Sequence, residues 1–255
     1  MGRLSGKTAL VTGSTRGIGR VIAQRLGDEG AELVVTGRDE RDVEQAATEL
    51  SRTGSRALGI PADLARVEEA HRLAIDTLAV VPQLDILVNN AGMSLREPFW
   101  AVSDARWDEQ VNVNYRSPFI LAQHAVRHMR DRGIQGRVVN TSTIGAHRCH
   151  RDAAVYDSAK AAVEAMTRNM AWELGPDGIT VNCVIPGPIG NRPGASESRA
   201  LWDGIAPFVP LGRVGDAADV AAAVLFFCLP EAAFITGQSL GIDGGYGAGL
   251  PENYF

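Results

Sequence analysis

Tyr156 and Lys160 stand four residues apart in Tyr156-Asp157-Ser158-Ala159-Lys160, so a helix through this segment carries a phenol and an ammonium on one face. Proton transfer is the chemistry such a pair can do. A free phenol titrates at about pH 10, and bringing it to neutrality takes roughly 4 kcal/mol. A cation about 4 Å away supplies about that much at an effective dielectric of about 20, and a bound nicotinium would add to it. The same spacing also fits an ordinary solvated helix face, so the pair gains meaning from what else the chain places near it.

A second constellation could hold a nucleotide. Thr12-Gly13-Ser14-Thr15-Arg16-Gly17-Ile18-Gly19 follows an apolar β-branched run and opens a helical one. The backbone amides of Gly13, Ser14, Thr15, Arg16, Gly17, Ile18 and Gly19, with the positive end of the helix, would then face a pyrophosphate. Glycine is needed there because a Cβ would block the tight turn and the close approach of the phosphates. The spacing is G-x-x-x-G-x-G rather than G-x-G-x-x-G, so the strand-to-helix setting carries the assignment. Where an NAD enzyme of this architecture often places an acid for the adenosine ribose, the chain reads Thr36-Gly37-Arg38. Arg38, with Arg16, would meet a 2′-phosphate through charge-assisted hydrogen bonds, which points to NADP(H) rather than NAD(H).

These residues need a frame. Short β-branched apolar runs alternate with segments of helical period, the pattern of strand-helix units that wind a parallel sheet. Strands are expected at Thr8 to Thr12, Glu32 to Thr36, Ala57 to Ile60, Asp85 to Asn89, Arg137 to Thr141, Thr180 to Ile185 and Ser239 to Ile242. Helices are expected near Ile18 to Glu29, Arg41 to Ser51, Val67 to Thr77, Asp104 to Arg130, Ala153 to Leu174 and Ala217 to Phe227. Most strand interiors are apolar throughout, as in strands covered on both faces. The fold class is therefore α/β, a doubly wound parallel sheet in a single dinucleotide-binding and catalytic domain over residues 1–255. Gly187 to Gly215 is rich in proline and glycine and longer than an ordinary loop of about 4 to 6 residues, so it reads as a substrate lid, with a plain surface excursion as the alternative.

Composition narrows the partners. The net charge is −5, and the basic residues are scattered from Arg3 to Arg213, leaving no block of like charge for nucleic acid or an anionic membrane. Cys149, Cys183 and Cys228 are too few and too widely spaced for a disulfide framework, which fits a reducing compartment. The N-terminal segment lacks the apolar region and cleavage site of a signal peptide. The longest apolar run, Ala221 to Leu229, falls far short of the roughly 20 residues that span a bilayer. A cytoplasmic protein without a metal, acting on a small-molecule carbonyl or alcohol, is the expectation.

Thr12-Gly13-x-x-x-Gly17-x-Gly19, Asn89-Asn90-Ala91-Gly92, Tyr156-x-x-x-Lys160 and Pro186-Gly187 occur in order, and together they resemble the short-chain dehydrogenase/reductase family from about Leu4 to Tyr246. The resemblance implies a Rossmann-type sheet of seven parallel strands in order 3-2-1-4-5-6-7. It also implies a homotetramer or homodimer, assembled through the long helices that carry Asn114 and Tyr156. The implied activity is an NADP(H)-dependent oxidoreductase acting on CH–OH donors. In that reading Tyr156 is the acid in carbonyl reduction and the base in alcohol oxidation, Lys160 also holds the nicotinamide ribose, and Asn114 binds a water in the proton relay. Asp63 resembles the residue that meets the adenine, Asn90 the one beneath the cofactor near its adenosine-side ribose, and Ile189 one whose backbone meets the carboxamide.

The chain departs from the family pattern in places. The catalytic serine about thirteen residues before the tyrosine falls on Thr143, with Ser142 one place earlier; a one-residue slip turns a strand side chain to the opposite face, and the register favours Thr143. Asn191 stands where the family usually has threonine, and an amide can still donate.

His147-Arg148-Cys149-His150-Arg151 occupies a region that is apolar in most members. A metal site is disfavoured because the candidate ligands lack a zinc spacing. A reactive Cys149 has no supporting motif. Binding of a substrate anion, with help from Arg96, competes with a plain solvated face. A small polar substrate, of sugar-acid or hydroxy-acid type if the cluster binds an anion, is the expectation. A 3-oxoacyl-(acyl-carrier-protein) reductase is the rival inside the family, weakened by Trp172 at the position expected to carry a basic docking residue. A non-catalytic NADP(H)-sensing regulator is the rival of another class, opposed by Tyr156, Lys160 and Asn114 all being kept.

Overall fold

The computed structural model describes residues 2–191 and 199–249. Its elements run β1 (Thr8–Val11), α1 (Gly17–Asp28), β2 (Glu32–Val35), α2 (Glu40–Arg52), β3 (Ala57–Gly59), α3 (Val67–Val80), β4 (Ile86–Asn89), α4 (Asp104–Val111) and α5 (Ser117–Asp131). They continue with β5 (Arg137–Thr141), α6 (Gly145–Arg148), α7 (Ala154–Leu174), β6 (Thr180–Pro186), β7 (Ile189–Asn191), α8 (Arg199–Ile205), β8 (Gly215–Asp216), α9 (Ala217–Cys228) and β9 (Ser239–Ile242). The main sheet has seven parallel strands in the order β3-β2-β1-β4-β5-β6-β9. That is the expected 3-2-1-4-5-6-7 winding.

Strand side chains alternate between two cores, as a period of two requires. Ala9, Val11, Leu33, Val35, Ile86, Val88, Val139 and Val184 pack with α1 and α9. The intervening Leu10, Val34, Leu87 and Val138, with Val181, pack with α3, α5 and the end of α7. Helices thus cover both faces, and the C-terminal ends of the strands are left to build a site at the point where the order reverses between β1 and β4.

Two features differ from the expectations drawn from sequence. The helix expected over Asp104 to Arg130 is α4 and α5 joined by a π turn at Asn112–Arg116. An unbroken α-helix would offer the Asn114 carbonyl the amide four residues on, but that residue is Pro118, which has no N–H. The helix widens there, as π turns do at functional sites. Secondly, the stretch after Gly187 is bracketed: β7 pairs in parallel with β8, apart from the main sheet. The stretch over 187–215 expected to form a lid is thus paired near its two ends, and residues 192–198 of it lie outside the described residues.

Candidate active site

The first turn of α1 is open. Arg16 at its N-cap makes no side-chain cap, and the turn carries no acid. Helix α2, by contrast, is capped by Asp39 accepting from Asp42 N at 3.0 Å, and α9 by a reciprocal Asp216/Asp219 box. An uncapped N-terminus leaves amide donors and a positive dipole end for an anion. Gly17 enters the helix at φ +61°, a strained conformation for a residue with a side chain, and a Cβ on Gly19 would lie 2.3 Å from the Gly13 carbonyl oxygen, so that position admits none without movement.

Ser14 plays a different part from its neighbours. It is fully buried, its Oγ donates to Val11 O at 2.7 Å and accepts from Thr36 N at 3.0 Å, and its own amide donates to Thr36 O. It shapes the loop from behind and ties it to the end of β2. Thr15 presses on Gly37, where a Cβ would come within 2.7 Å of the threonine methyl. The next residue on each side of that contact is an arginine, Arg16 and Arg38, and both side chains are exposed without an ion pair among the described residues. Asp63 follows β3, its carboxylate accepting from Ala65 N at 3.1 Å, and Ala62 N donates to Gly37 O, so the ends of β2 and β3 are joined. Asn90 Nδ2 donates to Thr12 O at 2.9 Å, and Asn90 N and Ala91 N both donate to Thr12 Oγ1 at 2.9 Å. Ile189 is buried in β7 and packs into the α1/α9 core.

The chemical end is built from buried side chains. Lys160 is 2% exposed, and its Nζ donates to Thr141 O at 2.8 Å, at the end of β5. Burial lowers the ammonium from its ordinary 10.5 to about 8. Asn114 is held on both functions: Oδ1 accepts from Met93 N at 3.0 Å, and Nδ2 donates to Met93 O at 2.7 Å and Gln110 O at 2.8 Å. Gly92 is where the two meet, since a Cβ there would lie 3.4 Å from Asn114 Oδ1 and 3.5 Å from Lys160 Nζ. Tyr156, in the first turn of α7, is half-buried.

The two candidate hydroxyls are separated by their partners. Ser142 Oγ lies 2.6 Å from Glu164 Oε1 and 3.2 Å from Lys160 O, so its proton is committed beneath α7. Thr143 Oγ1 accepts from Gly145 N at 3.3 Å, which leaves its own proton to donate elsewhere.

The basic segment expected to meet a substrate anion is engaged with the protein itself. His147 Nε2 lies 2.9 Å from Glu164 Oε2, and His150 Nδ1 lies 2.9 Å from Asp157 Oδ1. Arg148 donates to the carbonyls of Gly247 and Gly249, and Arg96 to the carbonyl of Arg151. These side chains have carboxylate or carbonyl partners within the protein. The Arg151 guanidinium stays almost wholly in solvent, 3.9 Å from Asp152. Among the described residues, no three His, Cys, Asp or Glu side chains come together as a metal site would need. No helix among them is long and apolar enough to cross a membrane.

Sequence reasoning missed four participants. Thr12 was visible only as the residue before the first glycine. Asp157 and Glu164, both buried, drew no reading, and His150 read as part of a charge run. The one available signal was that Asp157 and Glu164 are seven residues apart and so share a helix face.

The molecule has relatives. A protein-family model described as enoyl-(acyl carrier protein) reductase matches residues 13–247. The hydroxynaphthalene reductase-like protein Arp2 of Metarhizium brunneum is 37% identical over 258 aligned positions, covering 95% of each chain. The 3-oxoacyl-(acyl-carrier-protein) reductase of Aquifex aeolicus is 34% identical over 244 positions, covering 95% of this chain and 98% of its own. Among solved structures, the blue fluorescent protein from a metagenomic library, crystallised in complex with NADPH, superimposes with a TM-score of 0.87 at 33% identity over 96% of this chain and 99% of that one. Acetoin dehydrogenase from Salmonella typhimurium superimposes with a TM-score of 0.89 at 33% identity, over 96% and 98% of the two chains.

Proposed function

Because the chain belongs to the short-chain dehydrogenase/reductase family, we propose that it interconverts a ketone and a secondary alcohol with NADP(H), with Tyr156 as the proton-transfer group. The observation that carries this reading is the burial of Lys160 against Thr141 O and Gly92, one helical turn from a half-buried Tyr156, which is not how a solvated helix face is built. The open turn of α1 and the loop at Thr15 and Gly37, flanked by Arg16 and Arg38, fit a dinucleotide with a 2′-phosphate.

When bound, the reduced nicotinamide supplies a hydride for the carbonyl carbon. The residues of the chain handle the oxygen. The Tyr156 hydroxyl gives its proton to the oxygen as the carbon is reduced, and takes it back in the oxidative direction. The Thr143 hydroxyl donates a hydrogen bond to the same oxygen and stabilises the charge that develops there. Lys160 holds a positive charge beside the tyrosine and favours the phenolate that remains. Asn114, locked to Met93, fixes the π turn, and the missing donor at Pro118 leaves its carbonyl suited to a water that returns a proton from solvent. Asp63, Asn90 and Ile189 would frame the adenine, the adenosine-side ribose and the carboxamide.

The substrate in this reading is small and polar, of sugar-acid or hydroxy-acid type if Arg151 meets an anion, since His147, Arg148 and His150 already have partners within the protein. A carboxylated ketone remains a separate arm of the test through Arg151. The similarity to the Aquifex enzyme favours a second reading, reduction of a 3-oxoacyl thioester, although the position expected to carry a basic docking residue is Trp172, 88% exposed on α7. The protein is proposed to work as a cytoplasmic homotetramer or homodimer. The test is a screen of neutral ketones, keto acids and 3-oxoacyl thioesters, followed by loss of nicotinamide absorbance. We expect turnover with NADPH at a kcat/KM at least about tenfold above NADH, abolished in Tyr156→Phe. NADPH binding without turnover of any carbonyl would instead identify a cofactor sensor.

A further inference from the structure

The turn before α7 is more elaborately held than a connection requires. Cys149 at φ +43° and Asp152 at φ +58° are the non-glycine residues with positive φ among the described residues, and they flank His150 and Arg151. Such backbone costs about 1 to 3 kcal/mol per residue and persists where the surroundings enforce it, often at functional sites. Here the surroundings are identifiable. Asp157 Oδ2 accepts from His150 N at 2.6 Å, Glu97 N donates to Asp152 O at 2.9 Å, and Arg96 donates to Arg151 O at 2.7 Å. The turn is thereby fastened to α7, which carries Tyr156, and to the segment after Gly92. The end of β5 is close as well: a Cβ on Gly145 would lie 2.1 Å from Asp157 Oδ1 and 2.2 Å from His150 Nδ1, and Gly145 N donates to Thr143 Oγ1.

We propose that His150 selects the substrate, its Nε2 hydrogen-bonding a hydroxyl group carried by the ketone, with Asp157 as the residue that positions it. The proposal rests on the ketone reductase reading of the same site. The Asp157 carboxylate can only accept, so His150 Nδ1 carries the proton of the 2.9 Å bond. With Nδ1 engaged and that edge of the ring against Gly145, Nε2 is the atom left for a ligand, and in the neutral ring it is an acceptor. An acceptor held against Gly145, whose amide donates to Thr143, by the residue next to Tyr156 rewards a donor hydroxyl near the reacting carbonyl. A ketone lacking that hydroxyl would leave the imidazole unpaired in the complex.

The experiment compares tetralone with its ring-hydroxylated isomers as substrates of the full-length protein with NADPH, reading kcat and KM for each. The wild type is expected to favour at least one hydroxylated isomer over tetralone by about tenfold or more in kcat/KM, expressed mainly in KM. In His150→Leu that selectivity ratio falls about tenfold, and in His150→Gln, whose amide still offers an acceptor, it falls less. Asp157→Asn gives a smaller fall in the same ratio, of about threefold, because the histidine remains but is less firmly held. A wild type indifferent to the hydroxyl, or a ratio unchanged in both His150 variants while overall turnover drops, overturns the proposal and leaves the reductase reading standing. Failure of the wild type to reduce any ketone while it still binds NADPH overturns the reductase reading, and this proposal with it. The NADPH fluorescence of each variant confirms that the cofactor end is intact.

Discussion

At the cofactor end the groups that would touch a ligand are backbone amides of an uncapped helix and two exposed arginines, whereas at the chemical end they are buried side chains braced by other side chains. Ser14, Thr12 and Asn90 shape the glycine loop from behind without facing out of it. Lys160, Ser142 and Glu164 form a polar interior between β5 and α7, and Asn114 is braced by Met93 and Gln110. A backbone-built site tolerates changes of side chain and depends on solvent conditions at its charged rim. A side-chain-built site depends on each member, because in a low-dielectric interior an unpaired polar group is costly.

The largest effect should come from the two hydroxyls one residue apart. Thr143→Ala is expected to lower kcat about 100-fold to 1,000-fold, the loss seen when one donor to a developing oxyanion is removed, with KM for NADPH little changed. Ser142→Ala should cost less than about tenfold in kcat and about 1 kcal/mol of stability, since its hydroxyl serves Glu164. Steady-state kinetics and thermal unfolding of the two variants separate the roles. The opposite ranking would reassign the catalytic hydroxyl to Ser142.

A smaller effect tests the burial of Lys160 apart from turnover. Its folded value of about 8 lies below the ordinary 10.5, so between those pH values the unfolded chain binds more protons and stability rises with pH. Below about pH 8 the cost of the buried charge is fully present, and it fades as pH approaches 10.5. In the cofactor-free protein, Lys160→Met should therefore be the more stable form at neutral pH, by up to about 3 kcal/mol at 1.36 kcal/mol per unit. The advantage should shrink as pH rises towards 10.5. Denaturant unfolding across that range checks it. A constant difference between the two proteins would place the ammonium in contact with solvent.

The same contrast explains what could be read from the chain. Strand and helix positions follow from period-two and period-3.6 patterning, which is local, and the glycine loop is legible because its residues contact the ligand through their own backbone. Tyr156 and Lys160 are legible because one helical turn relates them. The His147–Glu164 and His150–Asp157 pairs are not, because each joins a turn to a helix face, and a charge run looks the same whether solvated or neutralised. The π turn at Asn112–Arg116 was hidden behind a continuous helical period, although Pro118, four residues after Asn114, carried the information. Register in the sequence already favours Thr143 over Ser142; the engagement of the Ser142 hydroxyl with Glu164 is what only the structure adds.

The smallest effect is expected at the rim of the cofactor end, and its signature is salt rather than size. Arg16 and Arg38 are exposed and have no ion-pair partner among the described residues, so their attraction to a 2′-phosphate competes with solvent and with counter-ions. Arg38→Ala should lower kcat/KM for NADPH about tenfold and alter that for NADH by less than about threefold, which narrows the preference without moving kcat. Raising the ionic strength from about 0.01 M to about 0.5 M shortens the screening length from about 30 Å to a few ångströms, so the wild-type preference for NADPH should contract with added salt. In Arg38→Ala most of that contraction should already have occurred, and the residual slope would report Arg16. If instead the wild type prefers NADPH equally at both ionic strengths, the selection lies in a buried contact of the kind seen at the chemical end. A wild type that prefers NADH would remove the 2′-phosphate from the site.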